Sequence, residues 1–185
     1  MAIYQPAEDS YLLKETLENY LNNLDSSSKK IKILDMGSGS GIQAETCKKL
    51  KFEDITAADI DPEVIKHLKK SGFKVVHTDL FSKINKKDKF NLIVFNPPYL
   101  PEDKDEPEDS KLATTAGKVG NEIILKFLKS AKTHLTEQGV ILLLISSLSK
   151  PNSIKKQIKE LNYKSELLAN QKLFFEELYV YLLRI

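Results

Sequence analysis

The chain of 185 residues contains one cysteine, one arginine, no tryptophan, seven glycines and seven prolines. With Cys47 alone, no intrachain disulfide can form, which suits a reducing, cytoplasmic setting. With Arg184 as the only arginine, bidentate guanidinium recognition of phosphate or guanine has almost no material to work with. His67, His77 and His134 are scattered, and with one thiol they form no metal-ligating pattern, so no metal is expected. Excess charge is also missing: 28 basic against 26 acidic residues give a net +2, which carries no electrostatic footprint of a nucleic-acid binder. The longest apolar run, Val140 to Ile145, falls far short of the ~20 residues that cross a bilayer. The opening MAIYQPAEDS lacks the basic-then-apolar layout of a signal peptide.

What is present is a globular composition, 41% hydrophobic and 29% charged, at the length of one domain. The expected division is an N-terminal helical segment over 1–30 and a core over 31–185. Leu13, Leu17, Tyr20, Leu21 and Leu24 share one face of a helix over 9–24. Strand-like runs follow at 31–35, 55–59, 74–78, 90–95 and 140–146, separated by helical patterns near 42–51, 62–71 and 120–135. Another helical pattern covers 152–161, and two strand-like segments, 163–169 and 176–184, close the chain with no helix between them. Apolar strands without clean alternation belong to a sheet covered on both faces. The spacing predicts a doubly wound, mostly parallel α/β sheet of seven strands ending in an antiparallel pair.

The scarce glycines and prolines are clustered. Gly37, Gly39 and Gly41 lie in ILDMGSGSG, where strand one turns into a helix near Ile42. Glycines there let the backbone approach a ligand, and helix N-terminal amides favour polar or anionic groups. The spacing is G-x-G-x-G rather than G-x-G-x-x-G, preceded by Asp35, which argues against a dinucleotide. Asp59 ends strand two, 24 residues after Asp35, placed to accept hydrogen bonds from ribose hydroxyls. Asp61, before Pro62 and Glu63, reads as a helix cap. Asp79 follows strand three and suits either an adenine amine or a turn. Three acids at successive strand ends suit an adenosine with a cationic tail.

The prolines gather at Pro97, Pro98, Pro101 and Pro107. Asn96-Pro97-Pro98-Tyr99 leaves strand four with two prolines fixing the backbone and removing N–H donors. The side-chain carbonyl of Asn96 and the backbone carbonyl of Pro97 make convergent acceptors for a planar –NH2 group, with the Tyr99 ring beside them. A rigid turn is the plainer alternative.

These residues carry a resemblance. DMGSGSG, the Asp59 strand end, TDL at 78–80 and NPPY at 96–99 resemble class I S-adenosylmethionine-dependent methyltransferases acting on amide or amino nitrogen. YQPAEDSYLL at 4–13 and AGKVGNEI at 116–123 resemble the short HemK-type glutamine methyltransferases of archaea and eukaryotes, although Ala116 stands where that branch has a glycine pair. The resemblance implies that Asp35, Gly37, Gly39 and Gly41 hold the methionine end of S-adenosylmethionine and Asp59 the ribose. It further implies that Asp79 and Leu80 bind adenine beside Ile60, and that Asn96 and Pro97 grip the substrate amide, with Pro98 and Tyr99 lining its place. Ser10 would close over the cofactor, or alternatively cap the first helix, with Asp9 as the rival cap.

The implied reaction is in-line methyl transfer to a glutamine amide nitrogen in the Gly-Gly-Gln motif of a class 1 release factor, with Asn96 as the catalytic group. N6-adenine methylation of DNA or RNA is the alternative, and a non-catalytic scaffold the remaining one. The run EDKDEPED at 102–109 holds six acids and one lysine, and reads either as an ordinary solvated loop or as an acidic lip that repels phosphate and favours a basic protein surface. The short branch is associated with a small zinc-binding activator protein, for which strand three at a sheet edge is the expected docking strand. His77 is expected to be structural.

Overall fold

The computed structural model describes residues 5–25, 30–100, 115, 117 and 120–185. Helix α1 (Glu8–Asn22) precedes β1 (Ile33–Met36), α2 (Ile42–Lys49), β2 (Ile55–Asp59), α3 (Pro62–Lys70) and β3 (Lys74–His77). Strand β4 (Phe90–Phe95), helix α4 (Glu122–Ala131), β5 (Leu135–Ser146), α5 (Pro151–Glu160), β6 (Lys164–Lys172) and β7 (Glu177–Arg184) complete it. One seven-stranded sheet runs in the order β3-β2-β1-β4-β5-β7-β6. The first five strands are parallel, and β7 runs antiparallel to both β5 and β6. This is the expected doubly wound sheet with its antiparallel end, and β3 is an edge strand.

Period-two alternation splits the core into two layers. Ile33, Ala57, Leu92, Val94 and Leu142 face Leu13, Leu17, Ala44 and Leu68 of the first three helices. Leu34, Met36, Ile93, Phe95 and Leu143 face Ile124, Phe127, Leu128 and Ile154 of α4 and α5. Because both faces are covered, strands β1 and β2 are buried throughout.

Some boundaries differ from the sequence reading. The helical pattern over 120–135 stops at Ala131, passes through one 3-10 turn at Lys132–His134, and gives way to a strand from Leu135. That strand starts before its apolar run because Leu135 pairs with Phe90 across an irregularity in the β4–β5 ladder. At the first helix, the cap reading of Ser10 and Asp9 is corrected. Ala7 is the N-cap, and Asp9 and Ser10 occupy the first turn, both buried. Asp61 does cap α3: its carboxylate accepts from Glu63 N–H at 2.8 Å, with Pro62 opening the helix.

Candidate active site

Strand order reverses between β1 and β4, since β2 and β3 lie on one side of β1 and β4 and β5 on the other. Open α/β sheets bind ligands in the crevice at such a point, beyond the carboxyl ends of the strands. A cleft of about 340 Å³ occupies that position. Register sets its floor: Met36 pairs with Phe95, so Gly37 and Asn96 emerge side by side. A Cβ at Gly37 would meet the Phe95 ring at 3.2 Å.

Of the residues that the resemblance assigns to cofactor or substrate, all but Gly41 line this cleft. Gly41 instead caps α2 at φ +84°, where a Cβ would stand 2.6 Å from Leu68 Cδ2, so its work is packing. Gly39 has φ +52° and no atom closer than 3.9 Å to a built Cβ, which leaves open space for a ligand. The acidic run 102–109, Pro101, Pro107 and Ala116 lie outside the described residues. Leu100 and Thr115, bridged to each other at the two ends of the intervening segment, both line the cleft.

The carboxylates divide by surroundings. Asp35 is 2% exposed, and burial pushes its pKa up to about 7 against the opposing Ala44 N–H, which reaches Oδ2 at 3.2 Å. Asp59 is also raised by burial, offset by the backbone donors of Asp61, Gly39 and Ile60. Gly39 N–H donates to one Asp59 oxygen and Asp61 N–H to the other, each at 2.9 Å. Asp59 therefore ties the glycine turn to β2, and only its remaining lone pairs face a ligand. Asp79 is half-exposed and pairs with Lys126 of α4 at 2.6 Å. His77 Nε2 lies 2.8 Å from the Ile60 carbonyl, a tether for the strand end.

Asn96 carries the most informative contact. Its Nδ2 donates to Asp9 Oδ2 at 3.0 Å, and its Oδ1 is buried without a hydrogen-bond partner. A carboxylate is the natural acceptor, so this pairing fixes which end of the amide is free. The free end is a buried acceptor on a residue that lines the cleft. Gln43 of α2 repeats the arrangement: Nε2 donates to the Ser10 carbonyl at 3.0 Å and Oε1 has no partner.

Residues 11–175 match the family described as the methyltransferase small domain. The chain belongs to that family. It is 35% identical to a Methanocaldococcus jannaschii protein provisionally named a protein N5-glutamine methyltransferase, over 96% of this chain and 89% of that one. It is 32% identical to the release factor glutamine methyltransferase of Fusobacterium nucleatum over 55% of this chain, a stretch covering 30% of that longer enzyme. A chain of the solved E. cuniculi Mtq2–Trm112 complex, responsible for methylation of the translation termination factor eRF1, superposes with a TM-score of 0.77. It is 25% identical and covers 100% of this chain and 99% of that chain.

This methyltransferase uses S-adenosylmethionine, and the cleft fits that molecule. Gly39 leaves room over the glycine turn, Ile60 offers an exposed apolar surface, and Asp35 and Asp59 suit a ligand bearing positive charge. No helix among the described residues is long and apolar enough to cross a membrane.

Sequence reasoning missed Gln43 and Lys126, and it saw Asp9 only as a helix cap. Lys126 had no signal, since only the docking of α4 brings it and Ile123 to the cleft. Gln43 had none either, because a polar residue early in a helix ordinarily faces solvent.

Proposed function

We propose that this methyltransferase modifies the side-chain amide nitrogen of a glutamine, in the Gly-Gly-Gln motif of a class 1 release factor. The observation that carries the reading is the unpartnered Oδ1 of Asn96, a cleft-lining residue whose Nδ2 is held by Asp9. The names of the Methanocaldococcus relative and of the E. cuniculi complex support glutamine in a termination factor. A single arginine and the acidic run 102–109 disfavour a phosphate-bearing substrate.

Asp35, Gly37 and Gly39 would hold the methionine end of the cofactor, with Gly41 shaping the turn. Asp59 would hold the ribose, and Ile60, Asp79 and Leu80 the adenine, while Ser10 closes the cleft from α1. S-adenosylmethionine supplies a methyl group on a positively charged sulfur, activated for displacement by a nitrogen lone pair. A glutamine amide nitrogen is a poor nucleophile because its lone pair is delocalised into the carbonyl. Asn96 Oδ1 and the Pro97 carbonyl accept from the two N–H bonds, orient that lone pair and stabilise positive charge developing on nitrogen. Pro98 and Tyr99 keep the acceptors rigid and wall the amide.

The domain extends over 1–185 and works in the cytoplasm, with a small zinc-binding activator pairing along the exposed edge of β3. Unchanged hydrogen exchange at 74–78 on adding the activator would count against that docking site. The central experiment offers labelled cofactor with release factor, a Gln-substituted release factor, or oligonucleotides, each with and without activator. Label should enter the unsubstituted release factor alone. Label entering only oligonucleotides establishes adenine methylation instead.

A further inference from the structure

Gln43 is 4% exposed, lines the cleft, and keeps a buried carbonyl oxygen without a partner. Its orientation is settled by chemistry: the Ser10 carbonyl 3.0 Å from Nε2 can only accept, so the unpartnered end is the acceptor. A buried acceptor left unmet is costly and calls for a donor that arrives with the ligand.

The ligand offers three kinds of donor: the adenine amine, the ribose hydroxyls and the ammonium of its methionine part. Gln43 is the second residue of α2, just past the glycine turn and beside the start of α1. Ile60, Asp79 and Leu80 stand instead beyond the ends of β2 and β3. On the cofactor placement given above, on which this inference rests, the amine and hydroxyls belong to that far side. The ammonium is the donor left for α2.

We propose that Gln43 Oε1 accepts a hydrogen bond from the methionine ammonium, making Gln43 the residue through which cofactor binding steadies the substrate-gripping amide. The route is short and contiguous. Gln43 holds the Ser10 carbonyl at 3.0 Å, Ser10 N–H donates to Asp9 Oδ1 at 2.6 Å, and Asp9 Oδ2 holds Asn96 at 3.0 Å. Filling Oε1 fixes the amide plane of Gln43, and with it the turn of α1 that orients Asn96. Gln43 is thus a cofactor-binding residue on one side and a positioning residue on the other.

The test measures binding by calorimetry, using S-adenosylhomocysteine and its analogue with hydrogen in place of the α-amino group. Gln43→Leu should weaken S-adenosylhomocysteine about tenfold and leave the deamino analogue within about twofold of wild type. Equal losses on both ligands, or no loss on either, overturn the proposal. If Gln43→Leu does not fold, Gln43→Met, closer in shape, carries the same comparison. In wild type, S-adenosylhomocysteine should slow hydrogen exchange at 8–12, and in the Gln43 variant that slowing should vanish. Persistent slowing overturns the positioning role. Asp59→Ala separately checks the placement: it should weaken both ligands alike, and an unchanged affinity for both refutes the placement rather than the Gln43 contact.

Discussion

Asp9, in the first turn of α1, holds Asn96 at the end of β4 through a 3.0 Å hydrogen bond across 87 positions of sequence. The bond leaves Asn96 with one polar atom unpaired, and that atom is the acceptor. On the proposed function, Asp9 is a positioning residue: it consumes the donor half of the amide so that the acceptor half is the one left for substrate.

Removing the acceptor should act on turnover more than on binding. Asn96→Ala is expected to lower kcat by at least ~100-fold, by analogy with loss of other transition-state hydrogen bonds. Asp9→Ala should lower kcat about tenfold with little change in KM, because Asn96 remains but can rotate. The double variant should be no worse than Asn96→Ala, since Asp9 acts through Asn96. Additive losses in steady-state kinetics would show that Asp9 has a separate role.

Asp35 predicts a pH dependence. Burial raises its folded pKa to about 7, above the ordinary carboxylate value of 3.8, so the folded protein binds this proton more tightly than the unfolded chain. The stability from this group is therefore fully present below pH ~4, falls between ~4 and ~7, and is flat above. Asp35→Asn, which keeps an acceptor for Ala44 N–H, should remove that part of the decline in a series of melts across this range. A cationic ligand favours the ionised form, so cofactor affinity should rise as pH passes through about 7 and lose that rise in Asp35→Asn. Titration calorimetry across that range reads both signs.

The glycine turn separates packing from binding. Gly41→Ala incurs the strain of φ +84° and a contact of 2.6 Å with buried Leu68, and should cost about 1–3 kcal/mol of stability. Gly39→Ala carries positive-φ strain too, but its methyl enters the open cleft. It should lower cofactor affinity by tenfold or more, a far larger effect on binding than that of Gly41→Ala relative to its loss of stability. Denaturant melts paired with calorimetry distinguish the two.

The Asp79–Lys126 pair has both side chains at least half exposed, at 50% and 60%, so solvent screens it. Lys126→Met should change stability by less than about 0.5 kcal/mol. Asp79→Ala should weaken adenosine binding about tenfold if Asp79 meets the adenine amine. An unchanged adenosine affinity would return Asp79 to the role of a turn residue anchored to α4.

Much of this molecule is legible in one dimension because the relevant forces are local. Apolar runs at strand spacing predict the sheet, Asp61-Pro62 announces the α3 cap, and the clustering of Gly37, Gly39, Asn96 and Pro97 marks the cleft. Each depends on backbone conformation or on a side-chain period that neighbours in sequence settle. The role of Gly41 was not legible, since only the packed α3 puts Leu68 where a Cβ would go. Nor was Lys126 opposite Asp79, Gln43 beneath Ser10, or Asp9 against Asn96. In each case two residues far apart in sequence meet because helices dock onto a finished sheet, and no local pattern encodes such a meeting. Residue order along the chain sets which residue types gather at the carboxyl edge. Tertiary structure alone decided which of their polar atoms are already paired and which are left for a ligand, because hydrogen-bond partnership is set by where each atom comes to rest.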